Sequence, residues 1–275
     1  MKGAKNKPLA LEGKAAAVTG AGAGIGRAIA IAFAAEGAAI LAADVDIEAA
    51  RETGRMIEAG GGRALSIQAD VSVPAQVDAM VNMALSEMKG LNILVNNAGV
   101  THPAQSILDL DLDHLDRVFA VDFKGVYLCS RAGGKAMLAK GGGVILNISS
   151  IAGLTPLPLP VYGPMKSAVN MLTRILAREW AEWGIRVNAI APGYVLTPLI
   201  QGLIDKGLRN PGLIIERTPM KTMLSPQDIA AAALFLSSDA ARHITGAVLP
   251  ADAGWITDGG WSAYPTAVRR KEEAK

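Results

Sequence analysis

Short apolar runs alternate with longer segments of helical periodicity along almost the whole chain. The runs hold few polar residues, which indicates strands buried on both faces of a sheet. The longer segments repeat apolar residues every three or four positions and often stop at glycine, which indicates amphipathic helices. The predicted strands are 15–18, 38–43, 64–69, 92–95, 144–148, 186–190 and 247–249. The predicted helices are 24–36, 47–59, 73–88, 112–138, 162–183 and 226–237.

This alternation predicts the α/β class, with seven parallel strands in one doubly wound sheet and helices on both of its faces. No change in composition marks a second domain, so we predict one domain over residues 1–275, with a core of about 10–258. Residues 198–223 have the weakest pattern. They follow a strand's carboxyl end, where open α/β sheets bind ligands, so we interpret them as a substrate lid rather than a surface connection.

Composition excludes several classes of protein. The formal net charge of +2 gives no indication of a nucleic-acid partner. The single Cys129 leaves no internal disulfide, fits a reducing compartment, and is interpreted as a small buried side chain. Residues 15–35 are apolar, but four glycines and Arg27 interrupt them, which argues against a signal core or membrane span. We therefore expect a cytoplasmic protein without a membrane partner.

A glycine-rich turn follows the first predicted strand. Gly20, Gly24 and Gly26 open the first helix, and their missing Cβ atoms let the backbone approach a ligand closely. A helix N-terminus also stabilises a negative charge. The sequence therefore predicts that Gly20, Gly24, Ile25 and Gly26 bind the pyrophosphate of a dinucleotide.

Asp44 ends the second predicted strand, and its position indicates which dinucleotide is bound. A carboxylate there can accept hydrogen bonds from an adenosine ribose diol and would repel a 2′-phosphate. No Lys or Arg follows Asp44 before Arg51, and Ala23 rather than a cation precedes Gly24. These features favour NAD over NADP. The alternative, an Asp that only caps the next helix, is the weaker interpretation.

The ends of the third and fourth strands carry further candidates for adenosine contacts. Asp70 could reach the adenine, and Asn96, Asn97, Ala98 and Gly99 could pass under the adenosine. Either group could instead only tie down a turn.

The pattern Tyr162-x-x-x-Lys166 lies twelve residues after Ser150 and suggests proton transfer at an alcohol. A phenol is a poor base near neutral pH, because its ordinary pKa is about 10. A lysine one helical turn away lowers that pKa by stabilising the phenolate. Ser150 could hold the substrate oxygen. These three residues predict hydride transfer between a nicotinamide and a carbon that bears oxygen.

Over about residues 10–258 the chain resembles the short-chain dehydrogenase/reductase family. The matching motifs are TGAGAGIG, DV at 70–71, NNAG, ISSIAG, YGPMK and RVNAIAPGYVLT. The resemblance implies a Rossmann-type fold, with Ser150, Tyr162 and Lys166 catalytic and Lys166 also holding the nicotinamide ribose. It adds Val71 to the cofactor-binding residues.

The same resemblance extends to the nicotinamide and to assembly. It implies that the nicotinamide carboxamide is held by Pro192, Gly193, Val195 and Thr197. It also implies a homotetramer formed through helices 112–138 and 162–183.

Asp122 departs from the family pattern, which has Asn at the second position of V-N-x-x-G. Asp122 could still hold the water that the Asn is thought to anchor. Its negative charge near Lys166 would favour the ammonium and oppose the phenolate. We therefore expect a working enzyme with a raised pH optimum for alcohol oxidation.

Two departures affect the geometry of the catalytic residues. The gap between the second serine and the tyrosine is one residue shorter than usual, so spacing selects Ser149, whereas position after the strand selects Ser150, which we prefer. Pro164 requires the helix to begin close to Tyr162, because proline is tolerated only in a first turn.

The substrate is less well defined by the sequence. The leucine- and proline-rich loop 154–160 and the leucines and isoleucines of 199–204 predict an apolar wall, although these side chains could equally pack against the protein. His102 could meet a polar substrate group or simply be exposed. An apolar wall favours a hydrophobic secondary alcohol or ketone, and polyols and sugars stay open.

The prediction is an NAD-dependent oxidoreductase with a small-molecule substrate and no metal. One alternative is a 3-oxoacyl thioester reductase of lipid synthesis, a reaction that usually uses NADPH and that Asp44 disfavours. The other is a nucleotide-binding protein without catalysis, which only Asp122 supports.

Overall fold

Seven parallel strands form one sheet in the order β3-β2-β1-β4-β5-β6-β7. The computed structural model describes residues 9–259. The strands are β1 Ala15–Thr19, β2 Ala39–Asp44, β3 Arg63–Gln68, β4 Ile93–Asn96, β5 Gly143–Ile148, β6 Ile185–Pro192 and β7 Val248–Ala251. The predicted doubly wound parallel sheet of the Rossmann type is confirmed, with strand ends moved by at most two residues.

Helices cover both faces of this sheet, because successive residues of a strand point to opposite sides. Ala16 and Val18 of β1 face one core, and Ala15 and Ala17 face the other. Within residues 9–259 the α-helices are α1 Gly24–Ala35, α2 Ile47–Ala59, α3 Pro74–Glu87, α4 Leu112–Val118, α5 Val126–Lys140, α6 Tyr162–Trp180, α7 Pro198–Asp205, α8 Pro211–Arg217 and α9 Pro226–Ser237. α1 and α9 pack on the first face, and α3, α5 and α6 on the second.

The predicted helix 112–138 is interrupted. Between α4 and α5, residues Phe119–Gly125 form a π-helical turn, and Asp122 lies in its middle. Such wide turns are frequent at functional sites. The predicted helix 162–183 ends at Trp180, and Ala181–Trp183 continue as a 3₁₀ turn.

The chain reverses its direction of winding at β1, which pairs with β2 on one side and with β4 on the other. Connections leave these neighbouring strands toward opposite faces, so a crevice opens at their carboxyl ends. The predicted lid segment, residues 198–223, contains α7 and α8 and lies at the same edge. None of the helices described within residues 9–259 combines the length and apolarity needed to cross a bilayer.

Candidate active site

The glycine turn after β1 has the shape that a phosphate cradle requires. Gly20 and Gly24 have φ of +62° and +54°, which side chains rarely adopt. A Cβ on Gly26 would collide with the carbonyl oxygen of Gly20. No side chain caps the start of α1, so its first N–H groups can serve a bound anion.

Asn97 fastens the end of β4 to this turn. Its side-chain amide donates to the carbonyl oxygens of Thr19 and Gly20, at 2.9 and 3.0 Å. The Thr19 hydroxyl accepts from the backbone N–H groups of Asn97 and Ala98, at 3.0 and 3.1 Å. The side-chain donors of Asn97 therefore shape the crevice.

Asp44 lies directly against the glycine turn. Its Oδ2 accepts from the Gly22 N–H at 2.8 Å, and its Oδ1 accepts from the Asp46 N–H at 3.0 Å. Asp46, not Asp44, caps α2, which rules out the helix-capping interpretation. A carboxylate offers about four acceptor positions, so Asp44 can still accept hydrogen bonds from a ribose.

Arg27 is a cation close to this turn. Its guanidinium donates to the Thr53 hydroxyl at 3.0 Å and to the Gly22 carbonyl oxygen. Thr53 in turn donates to the Ala21 carbonyl oxygen at 2.8 Å. Arg27 therefore holds the backbone of the turn.

Asp70 and Val71 follow β3, and the side chain of each makes contacts within the protein. Oδ1 of Asp70 accepts from the backbone N–H and the hydroxyl of Ser72, at 2.8 and 2.7 Å, so this carboxylate does tie down a turn. The Val71 side chain is buried in the core, where a Cβ on Gly125 would press against it. Only the backbone of Val71 and the second oxygen of Asp70 stay available to a cofactor.

Tyr162 and Lys166 lie side by side. Tyr162 is the first residue of α6, so Pro164 falls in the first turn and is tolerated there. Nζ of Lys166 is 5.3 Å from the centroid of the Tyr162 ring. The same atom donates to the Ile148 carbonyl oxygen at 3.1 Å. The geometry expected of this pair is present despite the proline.

Asp122 completes a buried charge cluster. Its side chain is fully buried, and its Oδ1 lies 2.9 Å from Lys166 Nζ. Oδ2 accepts from the Val100 N–H at 2.9 Å, whereas Oδ1 lacks a well-directed hydrogen bond. A Cβ on Gly99 would come within 2.8 Å of Oδ1. The absence of a side chain at Gly99 therefore leaves space for the Asp122 carboxylate.

Burial and neighbouring charges shift the pKa values of Tyr162 and Lys166. Burial raises the pKa of Tyr162, Asp122 raises it further, and Lys166 and a hydrogen bond from Ser150 lower it, with a net rise. Burial lowers the pKa of Lys166, but the nearby Asp122 and Tyr162 outweigh burial and leave this pKa raised. Near neutral pH the lysine is therefore an ammonium and the tyrosine a neutral phenol.

The two candidate serines have different environments. Ser150 is half-buried beside Tyr162, and its hydroxyl oxygen accepts from the Ala152 N–H at 3.1 Å. Ser149 is buried, and its hydroxyl donates to the Lys166 carbonyl oxygen at 3.3 Å. This geometry favours Ser150 as the hydroxyl that meets a substrate.

His102 is buried, and the expectation that it is exposed is wrong. Its Nε2 accepts from the backbone N–H groups of Val161 and Tyr162, both at 3.3 Å. Nδ1 lies 2.8 Å from the Pro103 carbonyl oxygen, so Nδ1 carries the proton in a neutral ring. His102 therefore caps the start of α6, directly beside Tyr162.

Cys129 lies in α5 and away from this chemistry. It is buried, and burial raises the pKa of its thiol to about 12. A protonated thiol is a poor nucleophile, so the interpretation of Cys129 as a small buried side chain holds.

A cleft of about 220 Å³ is lined by residues from several of these parts. Its lining includes Ser150, Tyr162 and Lys166. The end of β6 and the segment after it contribute Pro192, Gly193, Val195 and Thr197 to the lining. The predicted apolar wall is present, formed by Leu157, Leu159, Leu199, Ile200 and Leu203. Arg209, which the sequence did not single out, also lines the cleft.

The model of a protein family described as enoyl-(acyl carrier protein) reductase matches residues 20–256. The chain belongs to the short-chain dehydrogenase/reductase family. A galactitol 2-dehydrogenase from Rhizobium johnstonii is 39% identical over 257 residues, covering 89% of this chain and 96% of the relative. The 3beta-hydroxysteroid dehydrogenase 1 of Eggerthella lenta is 41% identical over 260 residues, covering 93% and 96%. These relatives identify the chain as an oxidoreductase of the class that acts on secondary alcohols.

Solved structures agree with this assignment. A 7alpha-hydroxysteroid dehydrogenase in complex with NADH and 7-oxo glycochenodeoxycholic acid has a TM-score of 0.85 and 35% identity, covering 90% of this chain and 97% of its own. A protein from Agrobacterium tumefaciens with bound NADP has a TM-score of 0.84 and 38% identity, covering 92% and 100%. The family binds a nicotinamide cofactor, and its members include users of either form.

Proposed function

We propose that this chain is an NAD-dependent oxidoreductase that transfers a hydride between nicotinamide and a secondary alcohol or ketone. The observation that carries the proposal is the cluster of Ser150, Tyr162 and Lys166 in the lining of a cleft that also reaches Thr197, beside the glycine turn. A proton-transfer group and a dinucleotide cradle thus share one space, as hydride transfer coupled to proton transfer requires.

In the oxidation direction, the Ser150 hydroxyl would hold the substrate oxygen while Tyr162, as phenolate, removes the hydroxyl proton. Lys166, whose Nζ lies 5.3 Å from the centroid of the Tyr162 ring, would stabilise the phenolate and bind the nicotinamide ribose. Bound NAD would supply the hydride acceptor. In the reverse direction, the neutral phenol would protonate the oxygen of the ketone as it gains negative charge.

Asp122 would keep the lysine charged through the whole cycle. Its carboxylate is 2.9 Å from Nζ, and a buried ammonium without a partner would lose its proton readily. The same carboxylate opposes ionisation of Tyr162. The site therefore combines a permanently charged lysine with a tyrosine that ionises only at raised pH.

The residues around the glycine turn fit the dinucleotide. Gly24 lies against Thr197, and a Cβ on Gly24 would come within 3.3 Å of the threonine methyl group. The missing Cβ leaves the backbone open there. The start of α1 is free of side-chain caps, which suits a pyrophosphate. Asp44 offers the ribose diol a carboxylate and repels a 2′-phosphate, which supports NAD over NADP.

The lid segment would cover the substrate. Leu199, Ile200 and Leu203 of α7 line the cleft opposite the 154–160 loop. This apolar wall resembles what a steroid or other hydrophobic alcohol needs more than what a polyol needs, because polyol hydroxyls would lose hydrogen bonds there. A hydrophobic secondary alcohol is therefore the proposed substrate.

We also propose the homotetramer that the family resemblance implies. Large apolar side chains are exposed along the helices it would use: Leu112 is 73% exposed, Tyr127 49%, Met171 54% and Ile175 53%. Apolar patches of this kind mark protein interfaces. Light scattering with size-exclusion chromatography should give four times the chain mass, and a monomer would refute this assembly.

The experiment follows NADH formation with NAD and a panel of hydrophobic alcohols, steroids, hydroxy acids and polyols, repeated with NADP. The proposal predicts turnover of hydrophobic members and at least about tenfold higher kcat/KM with NAD. Turnover only of a 3-oxoacyl thioester with NADPH would support the thioester reductase instead. NADH binding without turnover of any class would favour a non-catalytic role.

A further inference from the structure

We propose that Arg209 binds a negatively charged group at the end of the substrate remote from its hydroxyl-bearing carbon. This inference rests on the proposed function and adds the substrate class: hydrophobic secondary alcohols that carry a carboxylate or a sulfonate. The charged and apolar side chains that line the cleft support this substrate class.

The charge balance of the cleft is the first observation. Its lining includes two cationic side chains, Lys166 and Arg209, and no carboxylate. The charge of Lys166 is already compensated, because Asp122 lies 2.9 Å away behind it. Arg209 has no Asp or Glu oxygen within 4.0 Å among residues 9–259. The cleft therefore presents one uncompensated positive charge.

The hydrogen-bond capacity of Arg209 is the second observation. The described residues take up one of its terminal nitrogens, which donates to the Leu208 carbonyl oxygen at 2.8 Å. A guanidinium has five N–H donors in a planar fork that matches two oxygens of a carboxylate or sulfonate. Arg209 is half-buried, so its charge is less screened by solvent than that of a fully exposed arginine.

Arg209 and the proton-transfer residues lie on different elements that line the same cleft. Tyr162 begins α6 and Ser150 follows β5, whereas Arg209 belongs to the loop between α7 and α8, within residues 198–223. Leucines from the loop before α6 and apolar residues of α7 line the same space. A substrate that satisfies all of these groups has an alcohol at one end, an apolar body, and an anion at the other end.

The experiment uses (ω−1)-hydroxyalkanoates of increasing length, each paired with its methyl ester, and compares kcat/KM for the wild type and Arg209→Met. We expect the wild type to prefer the acids. Arg209→Met should lower kcat/KM for the acids about tenfold or more, since a hydrogen bond to a charged group is lost, and change it by less than about twofold for the esters. Arg209→Lys should fall between, because it keeps the charge and loses the fork.

Lys206→Met is the matched control, because it removes a positive charge from the same exposed segment outside the cleft lining. It should leave the preference for acids unchanged. The inference is overturned if acids and esters lose activity equally in Arg209→Met, if Lys206→Met has the same effect, or if the main change is a higher KM for NAD. The last result would make Arg209 a cofactor ligand.

A binding measurement keeps this inference separate from the proposed function. Calorimetric titration of an unsubstituted alkanoate and its methyl ester into the NAD-loaded protein needs no turnover. Weaker binding of the alkanoate alone to Arg209→Met supports the anion site even if no alcohol is oxidised. Equal affinities in wild type and variant overturn it, even if the enzyme oxidises neutral alcohols.

Discussion

The two halves of the cleft are built differently. Around the glycine turn, side chains bond to backbone: Asp44 to the Gly22 N–H, and Asn97 to the carbonyl oxygens of Thr19 and Gly20. Around Tyr162, side chains act on one another, and Asp122, Lys166 and Tyr162 share one buried cluster. We infer that changes in the first half alter cofactor binding, whereas changes in the second alter proton transfer and its dependence on pH.

Tyr162→Phe should produce the largest effect, because it removes the hydroxyl group through which the site would transfer a proton. We expect kcat to fall about 10²–10⁴-fold or more, with NADH affinity kept within about threefold. Steady-state kinetics and NADH fluorescence titration measure the two quantities. Equal losses of kcat and of NADH affinity would mean that proton transfer and cofactor binding do not depend on separate halves of the cleft.

Gly26→Ala should produce the corresponding effect in the first half. Its Cβ would collide with the Gly20 carbonyl oxygen, so the turn must shift at a cost of about 1–3 kcal/mol. We expect KM for NAD to rise about tenfold or more and the free energy of unfolding to fall by a similar 1–3 kcal/mol.

Gly202→Ala is the control for this change, because a Cβ built there meets no atom within 4 Å other than its chain neighbours and the backbone of its own helix. It should leave KM for NAD unchanged and the fold at least as stable. A normal KM in Gly26→Ala, measured beside this control, would contradict the importance of the turn.

Asp44→Asn should change which cofactor is chosen while leaving the chemistry alone. Losing the carboxylate removes its repulsion of a 2′-phosphate, so the ratio of kcat/KM for NADP over NAD should rise about tenfold. Asp70→Asn is the matched control at the same sheet edge, and it should affect both cofactors equally. An unchanged ratio in Asp44→Asn would remove Asp44 as the selecting residue.

The first half could be read largely from the sequence because its residues follow strands directly. A buried apolar run identifies the strand, and the next residue then lies at the carboxyl edge, which located Gly20, Asp44 and Asn97. The Tyr162–Lys166 pair could be placed for a similar reason, since one helical turn fixes their spacing.

Residues that approach from distant loops could not be placed in this way. His102 gave no signal for its contacts with the N–H groups of Val161 and Tyr162, because 59 and 60 positions separate these partners. Arg209 lies in a segment whose pattern predicted only a lid. The π-helical turn around Asp122 was also missed, because its sequence continues a helical pattern.

The central claim is that Asp122, Lys166 and Tyr162 form one coupled group for proton transfer. The most direct test is the pH dependence of kcat/KM for alcohol oxidation by the wild type and by Asp122→Asn. Asp122 helps to raise the pKa of Tyr162, whereas the Tyr162 phenolate itself favours the ammonium form of Lys166 and so keeps the lysine charged without Asp122. Removing the charge of Asp122 therefore lowers the pKa of Tyr162 and makes phenolate available at lower pH. We predict that the rising limb of the profile moves to lower pH in Asp122→Asn. Superimposable profiles would contradict the claim.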